Sequence, residues 1–127
     1  MGQFMSDDRV CTEKAQAAGT RPLVRQITVI ELKEMMESGT VYELVDVRMD
    51  VEWPISRIEN FWLLDQDYHD QLCGCDKDTP VIFQCHHGIR SQQAAEYFRQ
   101  QGFRNLCNVQ GGIDAWSQFV DGTVPRY

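Results

Sequence analysis

The sequence predicts a single α/β domain built on a mostly parallel sheet, and three observations carry that expectation. Short apolar runs alternate with helical patterns from Leu23 to the end of the chain. The run Val81-Ile82-Phe83 is continuously apolar, as in a strand covered on both faces of a parallel sheet. The 127 residues, 43% hydrophobic and 24% charged, match one globular domain with one core.

Residues 1–21 lack periodicity and are rich in Gly, Ala, Gln and charge, so they read as a flexible tail preceding a domain at 22–127. Leu23 to Ile27 reads as the first strand. Thr28 then supplies an N-cap with Glu31 as its capping-box partner, and Ile30, Leu32, Met35 and Met36 form the apolar face of a helix that stops at Gly39. Val41 to Val47 reads as a second strand ending in Asp46-Val47-Arg48, and Asp50 to Ile55 as a short helical turn limited by Pro54. Phe61 to Leu64 is a third apolar run, followed by a polar helix over Asp65 to Leu72. A turn at Asp76 to Thr79 precedes the Val81 strand. Arg90 to Gln101 reads as a helix with Ala94, Ala95 and Phe98 on one side, closed by Gly102. Leu106 to Val109 is the fifth strand, Gly111-Gly112 breaks the chain, and Ile113 to Phe119 forms the last helix.

The net charge of −7, from 12 basic and 19 acidic residues, argues against nucleic-acid binding. No apolar stretch approaches the roughly 18 residues of a membrane span. Met1-Gly2-Gln3-Phe4-Met5-Ser6 fits the loose myristoylation pattern, but nothing basic follows to supply a second membrane signal. The five cysteines, Cys11, Cys73, Cys75, Cys85 and Cys107, are odd in number and no signal-peptide pattern precedes them, so a reducing, cytoplasmic setting is expected.

The residues that carry chemistry lie on the loop Cys85-His86-His87-Gly88-Ile89-Arg90, followed by Ser91. Ligands of open α/β sheets collect at the carboxyl ends of strands, where Cys85 falls. A tight loop there turns backbone N–H groups inward, the following helix directs its positive end at the same point, and Gly88 allows the bend. Such surroundings favour the thiolate, the form of cysteine that attacks. Without them, an isolated cysteine at a strand end is more often a small buried hydrophobe. Arg90 either offers its fork of donors to an oxyanion or anchors the loop on a carboxylate beneath it. Asp46 and Arg48, at another strand end, line or brace the site.

His86 and His87 are expected as exposed imidazoles at the pocket mouth rather than metal ligands, since adjacent loop positions rarely converge on one tetrahedral ion. No metal and no cofactor are expected. Cys73-Gly74-Cys75 is a lone C-x-C, read as incidental cysteines at a helix end. Cys107 and Trp116 read as core.

Three motifs together resemble the rhodanese-like domain: Asp46-Val47-Arg48, the Cys85 to Arg90 loop with Ser91, and Gly111-Gly112-Ile113-Asp114-Ala115-Trp116. The resemblance spans about Leu23 to Tyr127. It implies one domain with a central five-stranded parallel sheet flanked by helices on both faces. It also implies a sulfurtransferase in which Cys85 is the nucleophile and His86, His87, Gly88, Ile89, Arg90 and Ser91 bind the substrate. Family members that handle phosphate or arsenate carry one more residue between the cysteine and the arginine, to cradle a larger group. Here four residues separate Cys85 from Arg90, which favours sulfur.

Two positions depart from the family's usual pattern. The loop carries histidines where many thiosulfate users carry Arg or Lys, and Ser56-Arg57-Ile58 replaces a frequent Gly-His-Ile. The resemblance thus leaves the donor open between thiosulfate and a persulfide. The acceptor is expected to be a thiol, with a thioredoxin- or glutaredoxin-like protein as one candidate, and neither nucleic acid nor membrane as partner. The competing readings are a non-catalytic interaction module and a phosphatase or arsenate reductase.

Overall fold

A computed structural model describes residues 22–127 of the chain. The expected tail, its myristoylation pattern and Cys11 lie outside the described residues. Five strands and four α-helices follow in chain order: β1 (Arg25–Ile27), α1 (Val29–Glu37), β2 (Glu43–Asp46), β3 (Trp62–Leu63), α2 (Gln66–Cys73), β4 (Val81–Gln84), α3 (Ile89–Gln100), β5 (Leu106–Val109) and α4 (Gly112–Phe119). A 3-10 turn, Asp50–Glu52, sits between β2 and β3. The strands pair in the order β1-β5-β4-β2-β3, all parallel.

Side chains alternate across the sheet and build one core on each face. Ile82, Cys107 and Val109 face one way and pack with Val29 and Leu32 of α1 and Ile113 and Trp116 of α4. Val81, Phe83 and Leu106 face the other way, against Leu72 of α2 and Ala95 and Phe98 of α3. Phe98 stacks on Phe83 at 5.5 Å between ring centroids and meets Phe103 edge-on at 5.6 Å. Each such ring, taken fully out of water, contributes about 2–3 kcal/mol.

The capping box at Thr28 forms as its sequence predicts: Glu31 N–H donates to Thr28 Oγ1 at 3.1 Å and Thr28 N–H to Glu31 Oε1 at 2.8 Å. The face of α1 differs by one residue. Val29, not Ile30, joins Leu32 in the core, because Ile30 lies about 100° around the helix from Val29 and is 49% exposed. The second strand begins at Glu43; Val41 precedes it and is 82% exposed.

Candidate active site

Cys85 follows the last residue of β4, and its side chain is 1% exposed. The chain turns at Gly88, whose φ of 101° lies in the left-handed region, and α3 starts at the next residue. This turn brings donors onto the sulfur. Gly88 N–H reaches Cys85 Sγ at 3.1 Å, Ser91 N–H reaches it at 3.3 Å, and Ser91 Oγ lies 3.3 Å away. Burial opposes ionisation of the thiol. The Ser91 side chain and the backbone N–H groups of Ser91, Gly88 and His87 outweigh it and hold the Cys85 pKa below its ordinary value. Burial instead pushes the Cys75 and Cys107 thiols up.

The loop rests on the amino end of α4. Ile113 N–H donates to the Cys85 carbonyl at 2.8 Å, and Asp114 N–H to the His86 carbonyl at 3.1 Å. This approach requires a glycine at position 112. A Cβ there would lie 2.1 Å from the Cys85 carbonyl oxygen and 2.7 Å from that of His86, and φ is +57°. The Gly111-Gly112 motif therefore buttresses the loop as well as breaking the chain. Trp116 is 8% exposed and belongs to the core, as expected.

Charge pairs tie the loop to the neighbouring strand end. Arg90 meets Glu52 with both arms of its fork, Nη1 to Oε2 at 2.8 Å and Nη2 to Oε1 at 3.1 Å. Of the two roles expected for Arg90, the geometry shows the anchor. The Arg90 hydrogen bond, acting against partial burial and helped by Tyr127 and the Met49 N–H, holds the Glu52 carboxyl at about 2. Asp46 and Arg48 form a fully buried pair, with Arg48 Nη2 2.7 Å from Asp46 Oδ2 and Nε 2.9 Å from Oδ1. Asp46 Oδ1 also accepts the Arg48 backbone N–H at 3.0 Å. These two residues brace the strand end.

Tyr127 joins the two pairs. Its phenol oxygen accepts from Arg48 Nη1 at 3.0 Å and donates to Glu52 Oε1 at 2.6 Å. Its ring lies on His86, with centroids 3.9 Å apart and planes 8° from parallel. His87 stacks on His86, again at 3.9 Å. His87 is exposed as expected. His86 is not: it is half-buried between two rings, and its Nε2 has no partner. Burial and the neighbouring His87 push the His86 pKa down. His86, His87 and Asp114 place three ligand-type atoms within 4.8 Å of one another. The Asp114 carboxylate is already engaged by Arg126 Nε and Gln118 Nε2, each at 2.9 Å.

Ile89, expected to bind substrate, opens α3 and is 71% exposed, whereas Ser91 is fully buried beneath the sulfur. Cys73 and Cys75 stand at the end of α2, Cys73 Sγ 3.7 Å from His69 Nε2 and Cys75 Sγ 3.4 Å from the Gln71 carbonyl. Sequence reasoning missed three residues of the site, Glu52, Tyr127 and Asn108, and the first two carry no local signal. Only Asn108 offers a hint, as a polar residue inside an otherwise apolar strand.

Comparison with known proteins agrees with this architecture. The family model described as Rhodanese-like domain matches residues 28–119. The thiosulfate sulfurtransferase GlpE of Glaesserella parasuis is 37% identical over 92 residues, covering 72% of this chain and 84% of that protein. A Mycobacterium tuberculosis protein named "Probable adenylyltransferase/sulfurtransferase MoeZ" is 30% identical over 128 residues, 98% of this chain. This chain spans about a third of that relative, 33% of its length. A crystal structure of a rhodanese-like domain protein from Staphylococcus aureus superposes with a TM-score of 0.65 at 30% identity, covering 82% of this chain and 99% of the other. Among the described residues, no helix is long and apolar enough to cross a membrane.

Proposed function

We propose that this chain, which belongs to the rhodanese-like domain family, moves a sulfane sulfur from a donor to a thiol through a persulfide on Cys85. The observation that carries the reading is the cradle on Cys85 Sγ, with two backbone N–H groups and a hydroxyl within 3.3 Å at the start of α3. Those donors stabilise the thiolate and then the negative charge that develops around it in either direction of transfer.

Two displacements complete the cycle. The Cys85 thiolate attacks the outer sulfur of the donor. With thiosulfate, a Cys85 S–S bond forms, the donor's S–S bond breaks, and sulfite leaves with the bonding pair. An acceptor thiolate then attacks the terminal sulfur, takes it as a new persulfide and releases the Cys85 thiolate. With a persulfide donor the first leaving group is a thiolate, and the remaining steps are unchanged.

The proposed site comprises Cys85 as nucleophile, the loop from His86 to Ser91 as the substrate cradle, and Asp46 and Arg48 as support. Two features weigh against phosphate or arsenate chemistry. Arg90 is committed to Glu52, and only four residues separate it from Cys85. The loop offers imidazoles rather than Lys or Arg beside the sulfur, so thiosulfate and persulfides both belong among the donors to test. The acceptor is a thiol, such as that of a thioredoxin- or glutaredoxin-like protein, and the proposed setting is the cytoplasm, without nucleic acid or membrane.

A donor panel tests the reading. Thiosulfate, mercaptopyruvate and glutathione persulfide are compared between the wild type and Cys85→Ser. Transfer from at least one donor, abolished in the variant, supports the proposal. Equal rates in the two proteins with every donor overturn it.

A further inference from the structure

We infer that Asn108 is a positioning residue that competes with the Cys85 sulfur for the single proton of the Ser91 hydroxyl and so sets the reactivity of Cys85. The geometry leaves little freedom. Ser91 Oγ donates to Asn108 Oδ1 at 2.5 Å and lies 3.3 Å from Cys85 Sγ. The amide of Asn108 cannot be turned around, because its Nδ2 faces two acceptors, the Gly88 carbonyl at 3.2 Å and Gln26 Oε1 at 2.9 Å. A backbone carbonyl only accepts, so the nitrogen must be on that side and the oxygen must face Ser91.

Ser91 is fully buried and Asn108 is 3% exposed. A hydroxyl has one proton to give. While it points at Asn108, its oxygen is an acceptor for Cys85, which favours the S–H form. When Cys85 ionises, Sγ and Asn108 Oδ1 become two acceptors for the same proton, and Ser91 must turn away from Asn108 to serve the sulfur. Asn108 thus restrains the thiolate that the backbone N–H groups of Gly88 and Ser91 promote. Arg90, which interacts electrostatically with Cys85, is held by Glu52, and the Asp46–Arg48 pair at the end of β2 is closed on itself. His87 of the same loop and Asp114 of α4 stand 3.9 Å from each other.

The consequence for transfer rests on the persulfide reading above. In the persulfide, Sγ is uncharged and a poor acceptor, so the Ser91 proton returns to Asn108. As the acceptor thiol takes the outer sulfur, charge returns to Sγ and the hydroxyl must swing back. Removing Asn108 therefore makes Cys85 a better leaving group and hastens discharge of the persulfide more than its loading.

The test is the pH profile of Cys85 alkylation by iodoacetamide, read on the Cys85 peptide by mass spectrometry so that other thiols do not contribute. Wild type is compared with Asn108→Ala, Asn108→Leu, Ser91→Ala and the double variant Asn108→Ala/Ser91→Ala. Either Asn108 variant is expected to lower the Cys85 pKa, on the order of tenfold in its ionisation constant or one pH unit. Ser91→Ala is expected to raise it. In the Ser91→Ala background, the Asn108 substitution should have no further effect, since its influence runs through Ser91.

A raised or unchanged pKa in the Asn108 variants overturns the proposal, as does the same shift with and without Ser91. If both Asn108 variants fail to fold, Ser91→Ala decides alone, and an unchanged or lowered pKa there overturns it. Alkylation needs no sulfur donor, so failure of the persulfide reading leaves this result standing, and failure here leaves the donor panel standing.

Discussion

The phenol of Tyr127 donates to the Glu52 carboxylate at 2.6 Å across 75 residues of sequence, closing a polar chain that runs Asp46–Arg48–Tyr127–Glu52–Arg90. The chain ties the end of β2, the 3-10 turn and the first turn of α3 into one frame under the Cys85 loop. Each link is a charged or charge-assisted hydrogen bond, the stronger kind.

Removing the hydroxyl alone tests that frame. Tyr127→Phe keeps the ring over His86 but leaves Arg48 Nη1 and Glu52 Oε1 each without one partner. The expected cost is about 1–2 kcal/mol in urea denaturation, with a fall in transfer rate as Arg90 loosens. Unchanged stability and rate would show that the phenol only fills space.

Acid titration reads the Glu52–Arg90 link. The folded Glu52 carboxyl is held at about 2, below the ordinary 4.5 of a free glutamate. A depressed folded value contributes stability above pH 4.5 and loses it as pH falls through that window towards about 2. Arg90 is 40% exposed, so solvent screening limits the contribution to about 1–2 kcal/mol. Glu52→Gln should flatten this part of the stability profile. An identical profile in the variant would contradict the assignment.

The Asp46–Arg48 pair is fully buried, so its halves cannot be removed separately without leaving an uncompensated charge. Asp46→Asn should destabilise the protein by about 3–5 kcal/mol in thermal or chemical denaturation. A loss below about 1 kcal/mol, the scale of an exposed pair, would mean that water reaches the guanidinium.

Gly112→Ala places a methyl group 2.1 Å from the Cys85 carbonyl at a φ of +57°. The variant must move α4 away from the loop, breaking the bonds from Ile113 N–H and Asp114 N–H. A destabilisation above about 3 kcal/mol is expected, with the Cys85 pKa displaced from its wild-type value. Wild-type melting would show that the two segments do not meet as closely as described.

Much of this architecture can be read locally. Strand and helix alternation, the Thr28 capping box and the apolar run at Val81 are properties of neighbouring residues, and each forms as the sequence predicts. The cradle on Cys85 is likewise local, since Gly88 and Ser91 lie within six residues of it. The frame around the loop is not. Glu52 meets Arg90 because parallel pairing brings β2 beside β4, while Tyr127 reaches Arg48 from beyond α4, and no periodicity records either. His86 misled for the same reason: a loop imidazole reads as exposed until a distant ring covers it. Ile30 shows the limit of an apolar-face argument over nine residues, where two adjacent β-branched residues compete for one position and only the sheet decides.

The central claim is that Cys85 carries sulfur, and the mass of the intact protein tests it most directly. After brief exposure to thiosulfate or glutathione persulfide and removal of excess donor, wild type should gain one sulfur atom on the Cys85 peptide. That atom should be lost on addition of a thiol, and Cys85→Ser should not gain it. No added sulfur on Cys85 from any donor, or equal gain in the Ser variant, would contradict the account.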